Sequence, residues 1–88
     1  MQRLTEKEVN EIFERRAKTI AFNIKQLRKK HRASRIEVAF FAGISITRLT
    51  YAEKGINRNK KTYIPDLITL EKIAFVFGVP VHEIIMMK

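Results

Sequence analysis

Positively charged side chains are concentrated in the middle of the chain, between residues 15 and 61. This stretch contains fourteen Lys or Arg residues against two acids, Glu37 and Glu53, and so carries a net charge of +12. The remaining residues contribute seven acids and four bases, a net charge of −3. Ammonium and guanidinium groups at this density bind phosphates, and nucleic acid is their usual polyanionic partner. The alternative is a solvated basic surface that only aids solubility.

Serine and glycine residues divide the centre of the basic stretch into two short helices. Ser34 and Glu37 have the spacing of a capping box, and Gly43 suits the left-handed residue that ends a helix. Ser45 can cap a second helix, which Gly55 ends. Two short helices joined by a tight glycine turn are typical of a helix-turn-helix, which places its second helix in the DNA major groove.

Three further helices are predicted around this pair. A helix over residues 6–30 follows a capping box of Thr5 and Glu8, with a bend near residues 15–19 left open. Another helix starts at Pro65-Asp66 and stops at Gly78, and a last one covers residues 81–87. The spacing of apolar residues predicts one face of the first helix (Val9, Ile12, Phe13, Ala17, Ile20, Ile24, Leu27) and the buried face of the fourth (Leu67, Leu70, Ile73, Ala74, Phe77). The predicted fold class is all-α with five helices, and residues 56–64 form a loop.

In the order of these elements, the chain resembles the Cro/C1-type (XRE) helix-turn-helix family, which includes the lambdoid phage repressors. The matching segments are residues 24–28, 34–43, 44–45, 49–55, 70–74 and 77–79. The resemblance covers roughly residues 20–85. It implies a lambda-repressor-like five-helix domain over residues 19–88, with residues 1–18 as an N-terminal helical extension. It also implies operator binding, commonly as a dimer, and an ion pair between Arg28 and Glu53.

The resemblance and the helical spacing together suggest which residues touch DNA. Leu49 and Ala52 face inward, which leaves Ile46, Thr47, Thr50 and Tyr51 outward; the family's base-reading positions correspond to Ile46, Thr47 and Tyr51. For Ile46, packing against the preceding helix is an equal alternative. The predicted phosphate contacts are Arg35 and Ser45, at family positions, with Arg48, Lys54, Arg58, Lys60 and Lys61.

Several large apolar residues fall where the family carries polar ones or lie off the main stripe. Phe40, Phe41 and Phe75 are of the first kind, and Phe22 is of the second. Either the N-terminal segment folds back over them or they meet a second subunit or another partner. The C-terminal stripe with Ile84 and Ile85 is a second candidate dimer surface.

The favoured function is a sequence-specific double-stranded DNA-binding regulator, most simply a repressor that acts as a homodimer on a palindromic operator. A phage, plasmid or mobile-element regulator, a restriction-modification controller and an antitoxin all fit. The alternative is a protein-interaction module that keeps the fold without the DNA role, suggested by Ile46 and the surplus phenylalanines. With only His31 and His82, no cysteine and no metal-ligand spacing, we expect no enzyme, catalytic residue, cofactor, metal or small-molecule substrate. We expect a cytoplasmic protein without a membrane segment.

Overall fold

Five α-helices make up the regular structure of the chain in the computed structural model, which describes residues 1–86. They are α1 (Glu6–Lys30), α2 (Arg35–Ala42), α3 (Ile46–Lys54), α4 (Leu67–Phe77) and α5 (His82–Ile85). No strand forms in the described residues, and one isolated β-bridge joins Ile56 to Thr62. The prediction of an all-α fold is confirmed.

Side-chain caps define where four of the helices begin. The predicted capping boxes are present at α1 and α2, where Thr5 and Ser34 accept from the backbone N–H of Glu8 and Glu37, and the two glutamates accept in return. Ser45 caps α3 and Asp66 caps α4, with side chains that accept from the backbone N–H groups of Arg48 and Thr69. The Ser34 backbone N–H lowers the pKa of Glu37, and hydrogen bonds from the Thr69 hydroxyl and backbone N–H lower the pKa of Asp66. These local bonds satisfy N–H groups that a helix start leaves unpaired.

The core lies where α1 crosses α3, α4 and α5, with α2 packed against α3 and α4. Its most buried large side chains are Ile24, Val38, Leu49, Ile73 and Ile84. A polar residue, Asn23, is also buried, and its amide donates to the carbonyls of Ile84 and Met86 at 2.8 and 3.0 Å. Asn23 therefore fixes the C-terminal turn to α1.

The N-terminal half of α1 extends beyond the core. The helix is continuous over 25 residues, about 37 Å, and burial along it begins at Ala17. Val9, Ile12 and Phe13 continue the apolar face but remain exposed. Because α1 does not turn back, the N-terminal segment does not cover the surplus phenylalanines.

Three sequence-based expectations need correction. Leu67 is exposed, because it is the first residue of α4 and burial along that helix begins only at Thr69. The last helix spans only His82–Ile85, and Met87 lies outside the described residues. Ile84 is fully buried in the core cluster and Ile85 is half-buried against it. Ile84 therefore cannot form part of an exposed dimer surface.

Candidate nucleic-acid interface

One face of α3 is anchored in the core and the opposite face is open. Leu49, Ala52 and Glu53 are buried, as the helical spacing predicts for the first two. Ser45 accepts from the backbone N–H of Arg48 at 3.1 Å and so fixes the first turn of the helix. The outward positions are Ile46, Thr47, Arg48, Thr50, Tyr51 and Lys54. A helix held along one side by packing presents its other side with little freedom to reorient.

The four predicted base-reading residues differ in how free they are. Thr47 is exposed. Ile46 is 45% exposed, so packing against α2 does not bury its side chain. The Thr50 hydroxyl donates to the carbonyl of Ile46 at 2.8 Å, which leaves its oxygen only as an acceptor. Tyr51 is half-buried, and its ring meets that of Tyr63 edge-on at 5.5 Å. Ile46 and Thr47 are thus the most accessible of the four.

The segment after α3 is an ordered turn rather than an open loop. The backbone N–H of Tyr63 donates to the carbonyl of Gly55, and the backbone N–H of Asn57 donates to the carbonyl of Lys61, both at 2.9 Å. The Asn57 side chain accepts from the backbone N–H groups of Asn59 and Lys61. This Asx-type turn was missed in the sequence, although asparagine is a usual signal for it, because its side chain bonds to the backbone two residues on.

The turn presents the three predicted basic residues, Arg58, Lys60 and Lys61, to solvent. Lys60 has a φ of 60°, a left-handed conformation that holds the tip tightly folded. Since Tyr63 ties the base of the turn to α3, the basic tip keeps a fixed position relative to the outward face of that helix.

A buried carboxylate joins α1, α2 and α3. Glu53 has no exposed side-chain surface and accepts from Arg28 Nε at 2.7 Å and Arg28 Nη2 at 3.0 Å. The predicted ion pair is therefore present, and the hydrogen bond to Glu53 raises the pKa of Arg28 above its usual value. Arg28 also donates to the carbonyl of Ala33 at 3.1 Å. The pair thus fixes the end of α3 to the connection between α1 and α2.

Arg35 shares the same carboxylate. Its Nε donates to Glu53 Oε1 at 3.3 Å, and about a third of its side chain remains exposed. Sequence reasoning assigned Arg35 to phosphate binding and missed this second bond. A guanidinium has five N–H donors, so a group bonded through Nε to Glu53 keeps its Nη donors for another acceptor.

Positive charge continues from α3 onto α1. Lys18, Lys54 and Lys60 line one shallow depression of about 220 Å³, together with Glu14 and the start of the turn. Gly55 lines this depression, and its backbone lies close to α1. A Cβ added at Gly55 would come within 3.2 Å of the Ala17 carbonyl oxygen. The close approach brings these three lysines to one side of the molecule.

No group of three or more His, Cys, Asp or Glu among the described residues could hold a metal ion. His31 has a structural position, with Nδ1 at 2.9 Å from the Leu27 carbonyl and its ring against Phe77. None of the helices in residues 1–86 has the length and apolar character needed to cross a membrane.

The predicted partner surface is only partly exposed. Phe22, Phe40, Phe41 and Phe75 all lie open to solvent, whereas Ile84 does not.

Scans against protein-family models, curated proteins and solved structures returned no match for this chain.

Proposed function

We propose that the chain is a sequence-specific double-stranded DNA-binding regulator of the Cro/C1-type helix-turn-helix family, most simply a repressor. The observation that carries the proposal is the outward face of α3, where Ile46, Thr47 and Tyr51 stand beside a fixed basic turn. A helix of this kind reads base edges in the major groove, which accommodates one α-helix.

The chemistry of the outward face limits how bases are read. Ile46 offers methyl groups, which suit the C5-methyl of thymine, and Thr47 adds a methyl and a hydroxyl. Tyr51 can donate one hydrogen bond from its phenol. None of these three side chains can form two hydrogen bonds to one base edge, so specificity also depends on DNA shape and on the spacing of two half-sites.

Phosphate binding would come from groups on both sides of α3. Arg48 and Lys54 flank the helix, and Arg58, Lys60 and Lys61 extend from the turn. With five or six phosphate contacts per subunit, the log affinity of the homodimer would fall with log salt with a slope of about −10. As a homodimer on a palindrome, the protein would contact half-sites about 34 Å apart.

Titration of a labelled operator, selected from random DNA, tests the proposal at two salt concentrations. We expect steep salt dependence and a preference of at least about a thousandfold over unrelated DNA. Weak binding that is indifferent to sequence and salt would refute the function.

Single substitutions separate the two kinds of contact. Thr47→Ala and Tyr51→Phe should change which bases are preferred, whereas Lys60→Gln removes one phosphate contact from each subunit and should weaken all sequences alike and lower the salt slope by about 2. Lys7→Gln, the same charge change on the exposed N-terminal turn, is the matched control and should have no effect. Uniform weakening by all three interface variants would contradict the assignment of base readers.

The exposed phenylalanines favour one second candidate, a protein-interaction module with no DNA role. Phe40, Phe41 and Phe75 form more exposed aromatic surface than a monomeric domain usually keeps. Absence of DNA binding by the folded protein in the same titration, together with a stable protein complex recovered from lysate, would select this candidate.

A further inference from the structure

Three exposed phenylalanines form one continuous surface, here called the phenylalanine patch. Phe40, Phe41 and Phe75 are 78%, 71% and 87% exposed. The rings of Phe40 and Phe41 lie 5.5 Å apart, and Phe41 and Phe75 line a shared depression of about 380 Å³ with Val76. The patch therefore bridges α2 and α4 and includes an open concave site.

The outward face of α4 adds a second apolar position and two opposite charges. Ile68, Glu71, Lys72 and Phe75 recur at spacings of three and four, so they lie on one stripe of the helix. The stripe faces away from the buried residues Leu70, Ile73, Ala74 and Phe77, and Ile68 is 63% exposed. Apolar residues occupy its two ends and the charges occupy its middle.

This stripe is complementary to itself under a two-fold rotation. If α4 lies antiparallel to a second α4 with the axis between residues 71 and 72, Ile68 faces the partner's Phe75 and Glu71 faces the partner's Lys72. The same contacts repeat with the two copies exchanged, as an isologous interface requires. A helix with two acids or two bases at the centre would instead oppose like charges.

We infer that the α4 stripe and the phenylalanine patch form the homodimer interface, with α4 antiparallel to α4 of a second copy. The partner's Ile68 enters the depression between Phe41 and Phe75, and reciprocal Glu71–Lys72 ion pairs set the register. The inference rests on the proposed homodimer, but not on DNA binding.

The area of the phenylalanine patch suits the centre of an interface with a second copy of the chain. A phenylalanine buries roughly 150–250 Å², so three that are mostly exposed offer on the order of 400 Å². A standard interface takes about 800 Å² from each partner, and its centre is apolar with a polar rim. The patch supplies such a centre, and Glu37, Glu71 and Lys72 border it. The residues that line these depressions lie outside α3, so the dimer leaves the outward face of α3 free.

A charge-exchange experiment tests the register in the absence of DNA. Sedimentation equilibrium over a concentration series measures the dimer dissociation constant of the full chain. In Glu71→Lys, the new lysine faces the partner's Lys72 at both symmetry-related contacts. We therefore expect the dimer dissociation constant to rise about tenfold, which is about 1.4 kcal/mol. Lys72→Glu should do the same. The double variant Glu71→Lys/Lys72→Glu restores both pairs and should return to within about threefold of the original constant. Glu11→Lys on the exposed face of α1 is the matched control and should leave the constant unchanged.

A second comparison tests the apolar centre. Phe75→Ser should weaken the dimer by at least about a hundredfold, because each copy loses one buried aromatic ring. Phe13→Ser removes another exposed ring, from the N-terminal part of α1 that extends beyond the core, and should have no effect. Circular dichroism confirms that every variant is folded.

A protein that stays monomeric at all concentrations would overturn the inference, as would a dimer insensitive to Phe75→Ser or a double variant as weak as the single ones. Because DNA is absent, these failures are distinguishable from a failure of operator binding, which the titration measures separately.

Discussion

Replacing Glu53 by glutamine tests whether the buried carboxylate holds the three helices together. The substitution keeps the size of the side chain and one carbonyl acceptor, but removes the charge that faces Arg28 and Arg35. The bonds affected are those at 2.7 and 3.0 Å from Arg28 and at 3.3 Å from Arg35. Whichever rotamer the new amide adopts, Glu53→Gln leaves both guanidinium groups without their counter-charge.

The size of the effect follows from burial. Removing one partner of a buried ion pair costs about 3–5 kcal/mol, because the remaining charge is left without compensation. Arg28 and Arg35 are 17% and 35% exposed, so water solvates them in part and the lower end, about 3 kcal/mol, applies. A domain of this length has a free energy of unfolding of about 4–13 kcal/mol. Glu53→Gln should therefore remove roughly a quarter or more of the stability and lower Tm by about 12 °C or more.

Urea unfolding followed by circular dichroism measures this loss as a lower midpoint at an unchanged slope. Glu11→Gln makes the same chemical change at an exposed site on α1 and should stay within about 0.5 kcal/mol of the original protein. Arg28→Met/Glu53→Met removes both charges and should cost less than the two single changes added together.

A cost below about 1 kcal/mol for Glu53→Gln would refute the reasoning, because it would mean that the carboxylate is effectively solvated. Strict additivity in the double variant would refute it equally, since residues that share a buried bond must show coupling.

Two further predictions concern backbone conformation and pH. Gly43→Ala and Gly55→Ala both place a side chain at positive φ, which costs about 1 kcal/mol, but only Gly55→Ala also meets a backbone carbonyl at 3.2 Å. Gly55→Ala should therefore cost about 2–3 kcal/mol in urea unfolding, and equal losses at the two sites would contradict the close approach to α1. The capping residues Glu37 and Asp66 have lowered pKa values, so their contribution to stability is complete at neutral pH and is lost as the pH falls through folded-state pKa values that lie below the ordinary carboxyl values. Glu37→Gln/Asp66→Asn keeps both caps without titration and should flatten thermal stability between neutral and acid pH, whereas an unchanged acid slope would exclude these two groups as its source.

Features that depend on local chemistry were predictable from the sequence. The capping boxes at Thr5 and Ser34 and the left-handed glycines at positions 43 and 55 appear where spacing placed them. Each involves residues within three or four positions of one another, so neighbouring residue types suffice to specify it. The inward direction of Leu49 and Ala52 follows from helical periodicity in the same way.

The errors arose where a residue's surroundings come from distant parts of the chain. Val9 and Phe13 share a face with Ile20, yet only the part of α1 from Ala17 onward is buried against other elements. Ile84 looked equally able to form a surface, but the bond from Asn23 to its carbonyl draws the C-terminal turn into the core. Periodicity identifies a face but not whether anything packs against it.

The sequence by itself determined five helical segments, their caps and a strongly basic centre, because helix formation and net charge depend on residue types and their spacing. Only the tertiary structure decided that Arg35 shares the carboxylate of Glu53, that Tyr63 holds the basic turn beside α3, and that Phe41 and Phe75 line one depression. These contacts join residues from 12 to 34 positions apart in the chain. Their partners are chosen by how the helices pack, and packing depends on the whole set of side chains at once.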